Sequence, residues 1–305
     1  MAYAKANRKF FDDISDSYDN KPWYAKVNQQ VTDSLRDRLD WIGIPFANTG
    51  SSSDAQEVRL LDYACGPGLC SRILGPYVTV TRGLDISPNM TENYNARART
   101  AGLPPSIVSA ATGDLFDKAD PQPAEFSGPE WLGFDLATVG FGFHHFEDVT
   151  HAARCLKERL RPGGVLLIND FLEGGDMLAD GEGKPVPGTE GDHTKHVHHH
   201  GKQHGEHSHQ HHSHSHSHGE HQQGAQKEEL SETAEDLQKM DASIVTPHFT
   251  IEGVKQFFTE AGFEDVDVVL MEEKVYMEFT GKPLFRTVLF AKGRRPETHA
   301  NKSEL

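Results

Sequence analysis

The stretch Arg59–Ser71 reads Arg-Leu-Leu-Asp-Tyr-Ala-Cys-Gly-Pro-Gly-Leu-Cys-Ser, and it constrains the fold more than any other segment. Val58–Leu61 has the apolar run of a short buried strand. Asp62 closes it, and Cys65-Gly66-Pro67-Gly68 follows as a tight turn. A strand that breaks into a glycine turn and then a helix lets backbone N–H groups come close to a ligand, because no Cβ stands in the way. The helix N-terminus behind the turn adds partial positive charge.

Downstream, apolar runs and helical periods alternate. Val78–Leu84 reads as a second strand ending at Asp85, and Ser87-Pro88 caps a helix with Met90, Tyr94, Ala98 and Ala101 on its inner face. Ile107-Val108 is a third strand, ending near Asp114. Phe134–Val139 is a fourth, running into Gly140-Phe141-Gly142-Phe143-His144-His145. Val149, Ala152, Ala153, Leu156 and Leu160 recur at helical spacing. Arg161–Gly164 stops that helix before a fifth strand, Val165–Ile168. Near the C-terminus a helix holds Val254, Phe257 and Phe258 inward, and Phe263–Leu270 and Leu284–Ala291 read as two closing strands. Strands and helices that alternate with short turns predict an α/β chain of Rossmann-like, doubly wound type, with a mostly parallel sheet covered on both faces.

Before this core, Val27, Val31, Leu35, Leu39 and Ile42 predict one amphipathic helix, and residues 1–47 are expected to form a helical lid. The core itself is assigned to 48–173 and its completion to 241–295, with a tail at 296–305. Between them, residues 174–240 carry a histidine tract, His193–His221, with fourteen of the chain's nineteen histidines. So few apolar residues cannot offset the ordering entropy, which predicts a disordered insertion. The tract's imidazole density predicts weak divalent-metal binding in vitro, without a fixed metal site.

The formal charge of −16 disfavours nucleic-acid phosphate or an anionic membrane as the main partner. Three cysteines, Cys65, Cys70 and Cys155, do not make a disulfide framework. With no apolar leader-like run, they predict a cytoplasmic protein.

In a doubly wound sheet, ligands bind at the carboxyl ends of the strands. Here those ends carry Gly66 and Gly68, then Asp85, then Asp114, then Gly140–His145. A carboxylate accepts two O–H donors at once, which suits a ribose diol at Asp85. Together these positions predict a nucleoside-like ligand.

These motifs resemble those of class I S-adenosylmethionine-dependent methyltransferases of small-molecule type. Leu60–Leu69 resembles their first motif, and Gly83–Ser87 resembles the ribose-binding one. Thr112–Leu115 is similar to the adenine-reading one, and Phe134–Val139 with His144–Asp148 is similar to the fourth. Leu156–Leu167 resembles the family's signature before strand five, and Phe11–Asp19 the lid segment. Ala64 stands where the family often has its first glycine.

The resemblance implies a seven-stranded sheet whose last strand is antiparallel. It also implies S-adenosyl-L-methionine as cofactor and in-line methyl transfer to a small molecule. Asp62, Cys65, Gly66 and Gly68 would shape the methionine site, Asp85 would bind the ribose, and Ile86, Asp114 and Leu115 would hold adenine. Tyr18, with Trp23, would close over the sulfonium. His145 is the first candidate for a base, ahead of His144 and His248, because imidazole titrates near neutrality. Two other readings stay open. One is an NAD(P)-dependent oxidoreductase, although the third glycine of Gly-x-Gly-x-x-Gly is missing after Gly68. The other is a non-catalytic metal-binding protein that uses the histidine tract.

Overall fold

The computed structural model describes residues 2–49, 56–194, 243–279 and 282–297. The N-terminal part holds α1 (Ala2–Ile14), α2 (Tyr24–Arg36) and α3 (Leu39–Ile42). The expected single helix is thus two. It breaks at Asp37–Arg38 and ends on Gly43, whose φ of 80° suits glycine. Val27, Val31, Leu35 and Ile42 are all buried, as the spacing requires.

The core follows as β1 (Arg59–Tyr63), α4 (Leu69–Leu74), β2 (Val80–Asp85), α5 (Pro88–Thr100) and β3 (Val108–Thr112). After these come β4 (Phe134–Gly140), α6 (Val149–Arg159) and β5 (Leu160–Phe171). The chain then gives β6 (Met177–Leu178), α7 (Ile251–Glu260), β7 (Glu264–Leu270), β8 (Val275–Phe279), β9 (Lys282–Arg286) and β10 (Val288–Arg294). Seven strands form one sheet in the order β3-β2-β1-β4-β5-β10-β7. β1, β2, β3, β4 and β5 pair in parallel, and β10 runs antiparallel to both of its neighbours. The last strand in the chain is therefore the antiparallel one, seated between β5 and β7.

β4 is buried along nearly its whole length, which explains its unbroken apolar run. One apolar cluster joins the sheet to α6 and α7 through Leu156, Val254, Phe257 and Phe258. The other joins it to α2 and α4 through Val31, Leu35, Ile73 and Leu74. Strand order reverses between β1 and β4, so a crevice opens at the carboxyl ends of those two strands.

Three expectations need correction. β5 begins at Leu160, because a register shift against β4 lets Pro162-Gly163-Gly164 stay in the strand. The expected closing strand Leu284–Ala291 is two strands, β9 and β10, separated at Thr287. β9 instead joins a second sheet, β6-β9-β8. Finally, the start of the presumed disordered insertion is folded. β6 pairs with β9, and the fully buried Asp176 takes Arg286 Nε at 3.0 Å and His248 Nε2 at 2.9 Å. A buried carboxylate with two charged or polar partners holds its loop in place. His193 lies in this folded part, with its ring bonded to the Thr189 carbonyl. The rest of the tract and its expected metal binding fall outside the described residues.

Candidate active site

At the β1 tip, Cys65 N–H donates to Leu84 O (3.2 Å) and ties the glycine turn to β2. Gly66 has φ 46° and Gly68 has φ 90°. A Cβ on Gly68 would stand 2.9 Å from the Tyr94 ring, so this position demands glycine. Ala64 adopts φ 51°, a strained value for a residue with a Cβ.

Asp62 fixes this turn from below. Its carboxylate accepts from Ser71 N (2.9 Å), Ser71 Oγ (2.6 Å) and Thr138 Oγ1 (3.1 Å). Burial pushes its pKa up to about 6, against those hydrogen bonds. Asp85 accepts Gly66 N–H at 2.8 Å and Ser87 N–H at 2.9 Å. Its pKa is also pushed up to about 6, first by burial and further by the charge of Asp12. Asp114 Oδ1 accepts from Tyr63 OH (3.1 Å) and Phe116 N–H (2.8 Å). Both bonds fall on that one oxygen. Tyr63, Phe116 and Phe146 pack ring to ring, with centroids 4.3–6.1 Å apart.

The lid lies across these tips. Asp12 accepts Ser87 Oγ at 2.6 Å, and Asn93 Nδ2 donates to Ser15 O at 3.1 Å. Arg97 pairs with Asp19. Tyr18 packs edge-on against Phe11 (6.3 Å) and Tyr24 (5.2 Å). Asn7 Nδ2 donates to the His145 carbonyl (3.1 Å).

The two adjacent histidines differ. His144 Nδ1 bonds Asp170 (2.9 Å) inside the core. His145 Nδ1 lies 2.8 Å from Ser243 O, so that nitrogen carries the proton and Nε2 keeps its lone pair. Burial and the neighbouring His144 hold His145 well below the usual imidazole range. His248 sits away from both, in the Asp176 cluster.

Strand tips and lid line a cavity of about 890 Å³, within the range of roughly 300–1,000 Å³ common for ligand pockets. Of the expected site residues, Tyr18, Gly66, Asp85, Ile86, Asp114 and His145 line it. Asp62, Cys65, Gly68 and Leu115 do not. Asp62 and Gly68 build the turn. Leu115 is a core side chain. Cys65 is also buried, and burial drives its thiol pKa well above 9. Trp23 and His144 also lie off the cavity. Sequence reasoning missed Tyr63, Phe116, Phe146 and Asn7. The only local hint was that Asn7, Phe11 and Ile14 repeat at i, i+4, i+7.

A family model described as a methyltransferase domain matches residues 30–268. The chain belongs to that family. That places it among the class I S-adenosylmethionine-dependent methyltransferases, a family whose cofactor is S-adenosylmethionine. This removes the oxidoreductase reading. An uncharacterized methyltransferase of Schizosaccharomyces pombe is 32% identical over 121 residues, covering 40% of this chain and 41% of that protein. The 27-O-demethylrifamycin SV methyltransferase of Amycolatopsis mediterranei is 33% identical over 115 residues, covering 37% of this chain and 39% of that one. The match thus spans about two fifths of these curated relatives. Among solved structures, the cyclase SpnF aligns with TM-score 0.50 at 14% identity, covering 91% of this chain and 84% of that one. That likeness concerns the fold alone.

The methyltransferase's own residues fit the cofactor. A Cβ on Gly66 would meet nothing within 4 Å, so the turn faces open space. Asp85 keeps acceptor capacity beyond its two backbone bonds, and Asp114, whose two bonds both fall on Oδ1, lines the same cavity. Among the described residues, no helix is long and apolar enough to cross a membrane.

Proposed function

We propose that this chain transfers a methyl group from S-adenosylmethionine to a small-molecule acceptor. The observation that carries the reading is one cavity lined by Gly66, Asp85 and Asp114 on the sheet side and by Asn7, Phe11 and Tyr18 on the lid side. A concave cavity of that size suits a cofactor and a modest acceptor better than a macromolecule. The Amycolatopsis relative, by its name, acts on 27-O-demethylrifamycin SV.

The bound cofactor supplies a methyl carbon already activated by its sulfonium. The protein's task is then orientation and exclusion of water. Asp85 would take the ribose hydroxyls, and Asp114 Oδ2 the adenine amino group. Ile86 and Phe116 would flank the ring. Gly66 would let the methionine end approach the backbone, in a turn that Asp62 holds. Tyr18 would offer an aromatic edge and face near the positive sulfur. His145 Nε2 would accept the proton that a hydroxyl or amine acceptor loses.

The test is calorimetric titration with S-adenosylmethionine, S-adenosylhomocysteine and NAD. A metabolite extract incubated with methyl-labelled S-adenosylmethionine and read by mass spectrometry completes it. We expect both adenosyl ligands to bind, NAD not to bind, and label to appear in a small molecule. Absence of adenosyl binding, or label only in macromolecules, overturns the reading.

A further inference from the structure

Asp176, Arg286 and His248 are all buried and form one cluster, with Arg286 Nε 3.0 Å and His248 Nε2 2.9 Å from the Asp176 carboxylate. None of the three lines the cavity. Thr194 Oγ1 lies 2.9 Å from His248 Nε2, so residues from both flanks of the histidine tract meet here. Two lines run from the cluster to the end of β4. The first is backbone. Arg286 Nη2 donates to Pro247 O at 3.3 Å. Just upstream, Val245 N–H and Thr246 N–H donate to His144 O at 2.8 and 3.1 Å. In the same stretch the carbonyl of the buried Ser243 accepts from His145 Nδ1. The second line is a column of rings. The Arg286 guanidinium lies 3.6 Å from the centroid of Phe171, and Phe171 stacks on Phe141 at 5.1 Å. Phe141 has φ 52°, an outlier for so bulky a residue, and such a conformation persists only where its surroundings over-determine it. Phe141 and His145 both line the cavity.

We propose that Asp176, Arg286 and His248 are positioning residues for methyl transfer: from behind the cavity they set the His145 proton on Nδ1 and hold Phe141 in place. The role rests on the reading of His145 as base given above. A neutral imidazole carries one proton, and either nitrogen can hold it. A carbonyl facing Nδ1 selects Nδ1–H and leaves Nε2 as the acceptor. That selection is only as firm as the carbonyl's aim. Ser243 O is aimed because its stretch is bonded at both ends, to His144 O on one side and to the cluster on the other. A carboxylate set between a guanidinium and an imidazole makes short, directional, charge-assisted bonds, so this anchor is stiff. The cofactor end is held separately, through the bonds of Asp85 to Gly66 and of Asp114 to Phe116, so damage to the cluster should leave it intact.

The test is nitrogen NMR of the full chain with isotope-labelled histidine, loaded with S-adenosylhomocysteine, with His145→Gln used to assign the His145 signals. In the wild-type chain the Nδ1–H form of His145 should exceed the Nε2–H form about tenfold or more, the worth of one hydrogen bond. Arg286→Met should bring that ratio to about twofold or below, and His248→Leu should lower it at least about threefold. His248→Gln, whose amide can still donate to Asp176, should restore it. S-adenosylhomocysteine affinity, by calorimetry, should stay within about twofold throughout. Transfer of label from S-adenosylmethionine should fall about tenfold or more in Arg286→Met. An even mixture or the Nε2–H form in the wild-type chain overturns the proposal, whether or not any variant folds. So does a ratio that survives both Arg286→Met and His248→Leu, or label transfer that is unchanged once the ratio has collapsed. A loss of S-adenosylhomocysteine affinity of about tenfold or more would also overturn it, because the cluster would then serve the whole fold. A chain that shows the expected proton pattern but moves no label even in the wild type would end the methyl-transfer reading and leave the cluster's hold on His145 standing.

Discussion

The cavity's two walls are built differently. On the sheet side, Asp62 beneath the turn and Asp85 and Asp114 on the wall are already committed to the backbone or to hydroxyls before any ligand arrives. Asp62 holds Ser71 and Thr138, Asp85 holds Gly66 and Ser87, and Asp114 holds Phe116 and Tyr63. On the lid wall, α1 touches the core through a few side chains, such as Asp12 on Ser87, and Asn7 Oδ1 has no hydrogen-bond partner among the described residues. A preorganised wall suits the part of the reaction that never changes, the cofactor. A lightly tied wall suits the part that differs between enzymes, the acceptor.

If that contrast holds, damage to the sheet wall should cost stability or cofactor affinity, while damage at the lid's Asn7 should cost less of both. The largest effect is expected at Asp62. Asp62→Ala strands Ser71 N–H and two hydroxyls in the core, which should cost about 3 kcal/mol of stability. Thermal melting should fall by roughly 6–12 °C. A loss no larger than that from Asn7→Leu would erase the distinction between the walls.

Asp85→Ala comes next. It should weaken S-adenosylmethionine binding about 100-fold, as expected when hydrogen bonds to a charged acceptor are lost. Calorimetry checks this, and a change under about threefold would break the assignment of the ribose to this strand end.

The acidity of Asp85 sharpens the contrast further. Burial holds both Asp62 and Asp85 at about 6, above the ordinary 3.8, so folding favours their neutral forms. Their contribution to stability is full below about 3.8 and is lost as pH rises through about 6. Cofactor binding runs the other way, because ribose hydroxyls need the ionised Asp85 as acceptor. Affinity should be flat above neutrality and fall about tenfold between pH 7 and pH 5, as a group titrating near 6 requires. Titrations across that range decide it. The lid enters here through the charge of Asp12. Asp12→Asn removes a neighbour that raises Asp85, so the inflection should move to lower pH.

The difference between the walls is also a difference in what the chain reveals one residue at a time. β1, β2, β4 and the turn at Gly66–Gly68 are legible because apolar runs and glycine punctuation are local signals. Asp85 and Asp114 follow from their place at strand ends. The ring cluster of Tyr63, Phe116 and Phe146 is not legible, because it exists only once three separate strand tips meet. The folded arm around Asp176 was read as disorder for the same reason. Its partners, His248 and Arg286, lie 72 and 110 positions away, and nothing near Asp176 announces them. Asn7 was missed because nothing near it in the sequence marks which face of the expected lid turns to the sheet, and its partner at His145 lies 138 positions away. Cys65 was misplaced because a residue between a strand and a glycine turn can face either way, and here it faces Gly83 in the interior.

The smallest expected effect tests whether the sheet wall is as finished as it looks. Ala64 lines the cavity with φ 51°, in the region where a Cβ crowds its own backbone. That strain is worth roughly 1–2 kcal/mol for an L-residue. Glycine would relieve it but would lose roughly 0.4–1 kcal/mol to greater freedom in the unfolded chain. The balance is a gain of about 0.5–1 kcal/mol for Ala64→Gly, readable as a small rise in denaturation midpoint. Cofactor affinity should not move, because Asp85 and its bond to Gly66 N–H hold the turn in its bound shape whichever residue stands at 64. If Ala64→Gly instead tightens S-adenosylmethionine binding tenfold or more, the methyl group at 64 is itself pressing on the ligand. The sheet wall would then carry specificity that the contrast assigns to the lid.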